Sequence, residues 1–306
     1  MSAFFLYLSP VPSLYAMKCE KQVADMLVQK TGQSVEVFSA TSVGGGSINQ
    51  AFHLFTNVGD YFVKLNQAAK FPEMFEKEEQ GLALLAECGG VNVPRVVGTG
   101  IGGADSFLLM DWVEQGVPQL GFWEDFAASL ALLHQHSQSQ FGLAVNNYMG
   151  SLPQSNRLHD DWADFFMVER LLPLLQNAFD AGQLDNKDRS AFENFFLQVP
   201  GIFPSEPPAL IHGDLWNGNY MVGNEGRVVF IDPAVYYGHR EMDLAMTRLF
   251  GGFDPRFYKA YNECFPLLPG WENRVDFCNL YPLLVHLVLF GTSYRSSIRN
   301  ILKPFL

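Results

Sequence analysis

The chain is short of cysteine, short of positive charge and lacks an apolar run long enough to span a bilayer. Its 306 residues hold four cysteines, Cys19, Cys88, Cys264 and Cys278, with no C-x-x-C pair. That usage excludes a zinc knuckle and a disulfide framework, and it suits a reducing, cytoplasmic compartment. Lys and Arg number 20 against 32 Asp and Glu, a formal net charge of −12. Such a balance argues against nucleic acid as a partner, because a phosphate backbone demands a basic face. An acidic surface suits a cationic small substrate, although it serves solubility equally well. The stretch Tyr281–Phe290 is too short to cross a membrane and contains His286, so it reads as a buried helix. There is no internal repeat, and the Pro-rich connector Pro200–Pro208 is the one biased segment.

What the chain does have is apolar bulk: 48% hydrophobic residues, 27 of them Phe. That is enough for one large domain or two modest lobes. Residues 1–16 are apolar, interrupted by Pro10 and Pro12, and carry no basic n-region, so they do not read as a secretory signal. A helical pattern begins at Met17, which is expected to be the biological start. Native mass spectrometry finding Met1 or Ser2 at the terminus would count against this. Residues 17–31 read as an amphipathic helix ending near Gly32. Strand character follows at Val35–Thr41, Ile48–Thr56 and Tyr61–Leu65, punctuated by Gly44-Gly45-Gly46 and by Asn57–Asp60. Pro72 opens a Glu- and Leu-rich helix to about Cys88, and Val96–Gly100 and Phe107–Trp112 are two more strands. That order is the order of a kinase-like amino-terminal lobe. Beyond Gln115–Pro118 come long helices at about 121–138, 161–182 and 186–199, a hairpin pairing Tyr220–Val222 with Val228–Ile231, and helices over most of 241–303. The expected class is α+β and bilobal, protein-kinase-like, with an antiparallel sheet lobe over 17–113 and a mostly helical catalytic and substrate lobe over 114–306.

The chemistry concentrates in Ile211-His212-Gly213-Asp214-Leu215-Trp216-Asn217-Gly218-Asn219 and in the run Val228–Ile231 ending at Asp232. A carboxylate, an amide and a second carboxylate in this order match what phosphoryl transfer needs. Asp214 is expected to accept the proton of a substrate hydroxyl, while Asn219 and Asp232 hold Mg²⁺ on the phosphates of ATP. The competing structural account, Asx turns at Asp214 and the two Asn, does not explain why Asp232 recurs at the end of the next strand. His212 reads as orienting the loop; contact with substrate is its other role. Upstream, Gly44, Gly45, Gly46 and Ser47 lie between two strands, where no Cβ keeps backbone N–H groups from phosphate oxygens, or where a plain hairpin turn sits. Lys64, in an apolar strand, reads by itself as an edge-strand charge and alternatively as the phosphate-binding lysine. Glu78 is its expected ion partner, ahead of Glu76 and Glu79. Met110, Asp111, Trp112 and Val113 end the strand running into the interlobe hinge, where backbone groups would meet an adenine edge. Asp243 either braces the catalytic loop or begins its own helix. His134 and His136, two apart on a helix, face different ways and read as structural. Trp216 offers a flat face to substrate or plugs the core.

The acceptor reads as a small molecule, or a small adduct displayed on a protein. Gly213 stands where protein kinases have Arg, Asp232-Pro233-Ala234 replaces Asp-Phe-Gly, and no Ala-Pro-Glu follows. A helix is due by about Glu241, which leaves too little chain for a peptide-docking platform.

These residues resemble the fructosamine kinases, or ketosamine-3-kinases, of the aminoglycoside-phosphotransferase and choline-kinase superfamily. The likeness runs from about Met17 onward. It rests on Gly44–Asn49, Phe62-Val63-Lys64, Met74-Phe75…Glu78…Gly81-Leu82, and Phe141-Gly142…Asn147-Tyr148…Gly150…Gln154…Asn156…Asp161-Trp162. It continues in His212–Trp216 with Gly218-Asn219, Ile231–His239 and Leu249–Phe253. The Trp216 loop and the Tyr236–His239 segment point to this branch rather than to the superfamily at large. The resemblance implies ATP- and Mg²⁺-dependent phosphorylation of the 3-hydroxyl of a ketosamine, the rearranged adduct of a sugar with an amine. It also implies a role in deglycation. Some relatives carry a Cys in the glycine-rich loop; Ser47 stands there in this chain, so redox switching at that position is not expected. A monomer or weak homodimer is expected, with no membrane partner. Two alternatives stay open: another small-molecule kinase of the superfamily, acting on an aminoglycoside, choline or homoserine, and a nucleotide-binding pseudokinase.

Overall fold

The computed structural model describes residues 17–44 and 48–306, so the expected leader and Gly45, Gly46 and Ser47 of the glycine loop lie outside the described residues. Helix α1 (Glu20–Thr31) leads into strands β1 (Val37–Val43), β2 (Gln50–Thr56) and β3 (Gly59–Gln67). Helix α2 (Met74–Glu87) then crosses to β4 (Val96–Gly102) and β5 (Asp105–Asp111). The antiparallel sheet runs β1-β2-β3-β5-β4. Strand alternation gives it two apolar faces. Leu54, Val63, Leu65, Phe107 and Leu109 pack with Val23 and Leu27 of α1. Leu108 and Met110 pack with Phe75 and Leu82 of α2.

Lys64 lies between Val63 and Leu65 in phase and pairs with Leu108, so it faces α2. β3 is flanked by β2 and β5, and Lys64 is only 6% exposed. The edge-strand reading of this lysine is therefore wrong: the charge is buried on an interior strand.

The remainder is mainly helical. Helix α3 (Phe122–Gln135) precedes a small hairpin, β6 (Asn147–Met149) with β7 (Leu152–Gln154). Helix α4 (Trp162–Phe165) continues through a π-helical turn, Phe166–Leu171, into α5 (Leu172–Asp180). Helices α6 (Asn186–Phe196) and α7 (Val199–Ile202) follow. Strand β8 (Ala209–Ile211) pairs with β11 (Tyr236–Gly238), and the hairpin of β9 (Tyr220–Val222) and β10 (Val228–Phe230) lies between them in sequence. Helices α8 (Glu241–Leu249), α9 (Pro255–Cys264), α10 (Val275–Phe290) and α11 (Arg295–Leu302) complete the chain. Tyr281–Phe290 is the second half of α10, mostly buried, and no described helix is long and apolar enough to cross a membrane.

Of the boundaries that differ from the sequence expectation, three have a plain local reason. α2 starts at Met74, because Glu73 takes a left-handed φ of 54° and turns the chain after Pro72. α3 stops at Gln135 because His136 becomes extended and its carbonyl accepts from Leu210 N–H, carrying the chain to β8. The helix expected over 186–199 breaks after Phe196, and Pro200 sits in the first turn of the separate α7.

Candidate active site

The loop joining β8 to β9 carries His212, Asp214 and Asn219, and its shape is set by a buried carboxylate on α8. Asp243 accepts from His212 N–H at 2.7 Å and from Gly213 N–H at 2.9 Å. Its Oδ2 also takes a hydrogen bond from His134 Nε2 at 3.2 Å, and Tyr261 hydroxyl donates to the other ring nitrogen, Nδ1, at 2.7 Å. An acceptor-only carboxylate assigns that tautomer. Burial pulls the His134 imidazole below its ordinary pKa despite Asp243, which keeps it neutral. Asp243 thus braces the loop. His136 bonds separately to the Cys88 carbonyl, so the two histidines share no ligand.

His212 is fully buried. Its Nε2 donates to the Ile231 carbonyl at 3.0 Å, and its Nδ1 accepts from Asp214 N–H at 3.3 Å. Burial lowers its pKa, consistent with a neutral ring. With both nitrogens committed to backbone, His212 joins the catalytic loop to the strand before Asp232. Both ring nitrogens are taken by backbone groups, which leaves neither for the substrate contact that the sequence also offered. Gly213 has φ 84°, and a Cβ there would lie 2.1 Å from the Ala234 carbonyl oxygen, so no side chain fits where protein kinases carry Arg.

Asn219 Nδ2 donates to both the backbone carbonyl and the Oδ2 of Asp214, each at 2.8 Å. The amide is thereby oriented with its Oδ1 turned away from Asp214. Burial pushes the Asp214 carboxyl up to about 7, and Asp232 and Asp243 add to the rise while Asn219 opposes it. Asp232 therefore lies within the same electrostatic field as Asp214.

Asp232 has φ 55°, unusual for a residue with a side chain. The turn is held by Ile231 N–H on the Asn219 carbonyl at 3.1 Å and by Ala234 N–H on the His212 carbonyl at 2.9 Å. Holding a non-glycine residue there costs on the order of 1 kcal/mol. Its carboxylate is 46% exposed and accepts from Lys64 Nζ at 2.5 Å, while Glu78 Oε1 accepts from the same nitrogen at 2.6 Å. Burial alone would pull the Lys64 pKa down, but Asp232 and Glu78 together raise it above its ordinary value, so the ammonium stays charged. Glu79 meets Thr99 instead. The sheet, α2 and the Asp232 turn are thus joined at one nitrogen.

The hinge is more restricted than the sequence suggests. Met110 is buried against α2, and the Asp111 carboxylate holds Arg95 through two hydrogen bonds at 2.7 and 2.8 Å. Trp112 donates its N–H to the Asp60 carbonyl and stacks on His53 at 3.5 Å. The Met110 side chain and the Trp112 N–H are therefore committed within the sheet lobe. Among the described residues, the Val113 N–H makes no hydrogen bond to the chain. Gly44 is exposed at the end of β1, next to the undescribed Gly45–Ser47. Trp216 is 36% exposed, its ring lying over Gly218 and edge-on to Phe250, so it does not plug a core.

Sequence reading missed the support behind the Asp232 turn. Asn147 Nδ2 donates to the Val235 carbonyl at 2.9 Å and Gln154 Nε2 to the Ala234 carbonyl at 3.2 Å. Asn156 Nδ2 donates to Asn147 Oδ1, and the fully buried Arg170 donates to Asn156 Oδ1 at 2.6 Å while lying 3.8 Å from the Tyr236 ring centroid. The available signal was three amides at 147, 154 and 156 amid apolar neighbours; their convergence on one backbone turn depends on the β6–β7 hairpin.

A sheet lobe above a helical region, with acidic groups and a lysine converging between them, defines a protein-kinase-like phosphotransferase. The short run from Asp232 to α8 separates it from the protein kinases. The chain belongs to the fructosamine kinase family, whose sequence profile matches residues 19–306. It is 39% identical to the probable ketoamine kinase slr1563 of Synechocystis over 93% of this chain and 96% of that one. It is 36% identical to the chloroplastic protein-ribulosamine 3-kinase of Oryza sativa subsp. indica, over 90% of this chain and 81% of that protein. A solved structure from Thermobifida fusca YX-ER1 carrying the fructosamine-3-kinase name superposes with a TM-score of 0.82 at 35% identity, covering 92% of this chain and 98% of that one. Aminoglycoside phosphotransferase APH(4)-Ia gives 0.61 at 14% identity over 93% and 98% of the two chains, a likeness of fold alone. The chain is an ATP-dependent phosphotransferase with an alcohol group as acceptor.

Proposed function

We propose that this protein transfers the γ-phosphoryl group of ATP to the 3-hydroxyl of ketosamines, in free or protein-linked form, as a deglycation step. The observation that carries the reading is the Lys64 link between Glu78 and Asp232, beside an Asp214 held by Asn219. In the proposed division of roles, Lys64, braced by Glu78, contacts the nucleotide phosphates. The loop from Gly44 through Ser47 covers them, and the Asp111–Val113 backbone meets the adenine edge. Asp214 accepts the hydroxyl proton as that oxygen attacks the γ-phosphorus and ADP leaves, and it also aligns the oxygen for in-line attack.

Asn219 and Asp232 fit a hard divalent cation. Asn219 commits its nitrogen to Asp214, which leaves an amide oxygen, and Asp232 presents a half-exposed carboxylate. Among the described residues no group of three or more His, Cys, Asp or Glu is arranged for a metal. Mg²⁺ binds through one or two protein ligands, phosphates and water rather than an all-protein cage. When bound, the ion offsets the negative charge of the transferring phosphates.

The test is ADP release and product analysis with ribulosamine, erythrulosamine and fructosamine acceptors, free and protein-linked, beside an aminoglycoside, choline and homoserine. Phosphate on the ketosamine O3, read by NMR, is the expected outcome. Turnover confined to the other acceptors would replace the substrate, and turnover with none would make the chain a pseudokinase.

A further inference from the structure

In the segment Asn147-Tyr148…Gly150…Gln154 the two amides support the Asp232 turn, whereas the phosphoryl chemistry gives Gly150 nothing to do. Gly150 stands at the tip of the β6–β7 hairpin with φ 59°. A Cβ placed there would lie 3.1 Å from Ile48 Cδ1 and 3.1 Å from Leu289 Cδ1. Ordinary carbon contacts need about 3.5–4.0 Å, so any side chain must push a neighbour back. Leu289 belongs to α10 of the helical region, and Ile48 leads into β2 of the sheet lobe. The tip is therefore a bearing between the two regions, and the approach is close because the residue is glycine.

The hairpin behind the tip is firmly held. Asn147 Oδ1 accepts from Gln154 Nε2 at 2.8 Å and from Asn156 Nδ2 at 2.9 Å, while its Nδ2 holds the Val235 carbonyl. Bulk added at Gly150 would thus press on Ile48 and the sheet lobe. Register gives that push leverage. The sheet lobe runs into the helical region after Asp111, whose cross-strand partner is Tyr61. Lys64 lies three residues along β3 from Tyr61, about 10 Å at the rise of a strand, and pairs with Ala51. Ile48 lies three residues beyond Ala51, up to about 10 Å farther from the hinge. Lifting Ile48 about the hinge therefore moves Lys64 by about half as much, away from Asp232.

We propose that Gly150 is a positioning residue, the stop that sets how far the sheet lobe closes. Its missing side chain is what lets Lys64 reach Asp232. This rests on the nucleotide roles given above to Lys64 and Asp232.

The test is the dissociation rate of fluorescent methylanthraniloyl AMP-PNP, with Mg²⁺, from the full chain. It needs no acceptor, so it is independent of the ketosamine assignment. Gly150→Asn adds bulk with little backbone strain, because Asn accepts a left-handed φ. It should raise the off-rate roughly tenfold, the scale of one lost charge-assisted hydrogen bond. In an Ile48→Ala background the same change should have little effect, since the side chain it presses is gone. A rise that is equal in both backgrounds, or absent from both, overturns the stop and leaves the nucleotide roles standing. Cooperative thermal unfolding reports that each variant is folded. If Gly150→Asn is not, Ile48→Phe decides, because it enlarges the same contact from the sheet lobe; an unchanged off-rate there overturns the stop. No binding of the analogue by wild type removes the nucleotide roles and the stop together.

Discussion

Asp214 is asked to be a base in a place that disfavours its charge. Burial raises its carboxyl to about 7, and only Asn219 works against that rise. Asp214→Asn should reduce turnover at least about a hundredfold, the scale of general-base effects, with nucleotide binding retained; near-normal kcat would refute the role. The same substitution should stabilise the free protein at alkaline pH. Because the folded pKa lies above the usual carboxylate value, ionised Asp214 disfavours the native state above about pH 7, and its protonation relieves this as pH falls. The variant's thermal midpoint is therefore expected to exceed that of wild type at pH 8, with the gap narrowing towards pH 5. A gap that is absent or widens on acidification would contradict the burial argument. Asp232→Ala should weaken Mg-ATP binding in calorimetry, since it removes the carboxylate proposed for the metal; unchanged affinity would take Asp232 out of that site. Both carboxylates were legible because each stands as an isolated acid beside an apolar strand. The committed state of His212 was not, because only packing shows where its two nitrogens go.

At the scale of elements, two supports hold the site, one from α8 and one from the π-helical turn. Asp243 gathers the His212 and Gly213 amides, while Arg170, Asn156, Asn147 and Gln154 reach the carbonyls behind Asp232. Arg170 has 0% exposure and donates to the Ser155 carbonyl and Asn156 Oδ1. Arg170→Met keeps the bulk but leaves those acceptors unsatisfied. It should cost about 2–4 kcal/mol in denaturant unfolding, given roughly 1–3 kcal/mol for each stranded buried partner. It should also raise KM for Mg-ATP, because the turn bearing Asp232 loses its backing. A stability loss with KM unchanged would make the network purely architectural. Strand and helix periodicity located most of these elements. The π-helical turn and the β6–β7 hairpin escaped it, since three-residue strands and one-turn irregularities carry no period to detect.

Across the whole molecule, the Lys64 nitrogen is where sheet, α2 and the helical region meet. A nucleotide that engages this centre should tighten the molecule as a unit. At a hundredfold excess over Kd, Mg-AMP-PNP adds about 2.7 kcal/mol to stability, or roughly 4 °C in the midpoint of a chain this size. Lys64→Ala should lose most of that shift at the same ligand concentration. A full shift in the variant would mean that the nucleotide is held without the lysine. A second tie between the regions, the Tyr148 hydroxyl on the Pro72 carbonyl at 2.9 Å, lies away from Lys64 and should leave the ligand response intact when changed to Phe.

Sequence alone determined the reaction class, because phosphoryl transfer needs particular groups in a particular order along the chain: lysine, glutamate, aspartate, asparagine, aspartate. It also determined the α+β order of elements, since their apolar periods are local. Tertiary structure decided what those residues are free to do. Lys64 could be an edge charge until β5 was seen to pair beside β3, and the Trp112 N–H could be offered to adenine until it was found on the Asp60 carbonyl. Burial, hydrogen-bond commitment and the meeting of residues more than a hundred positions apart arise only when the chain closes on itself.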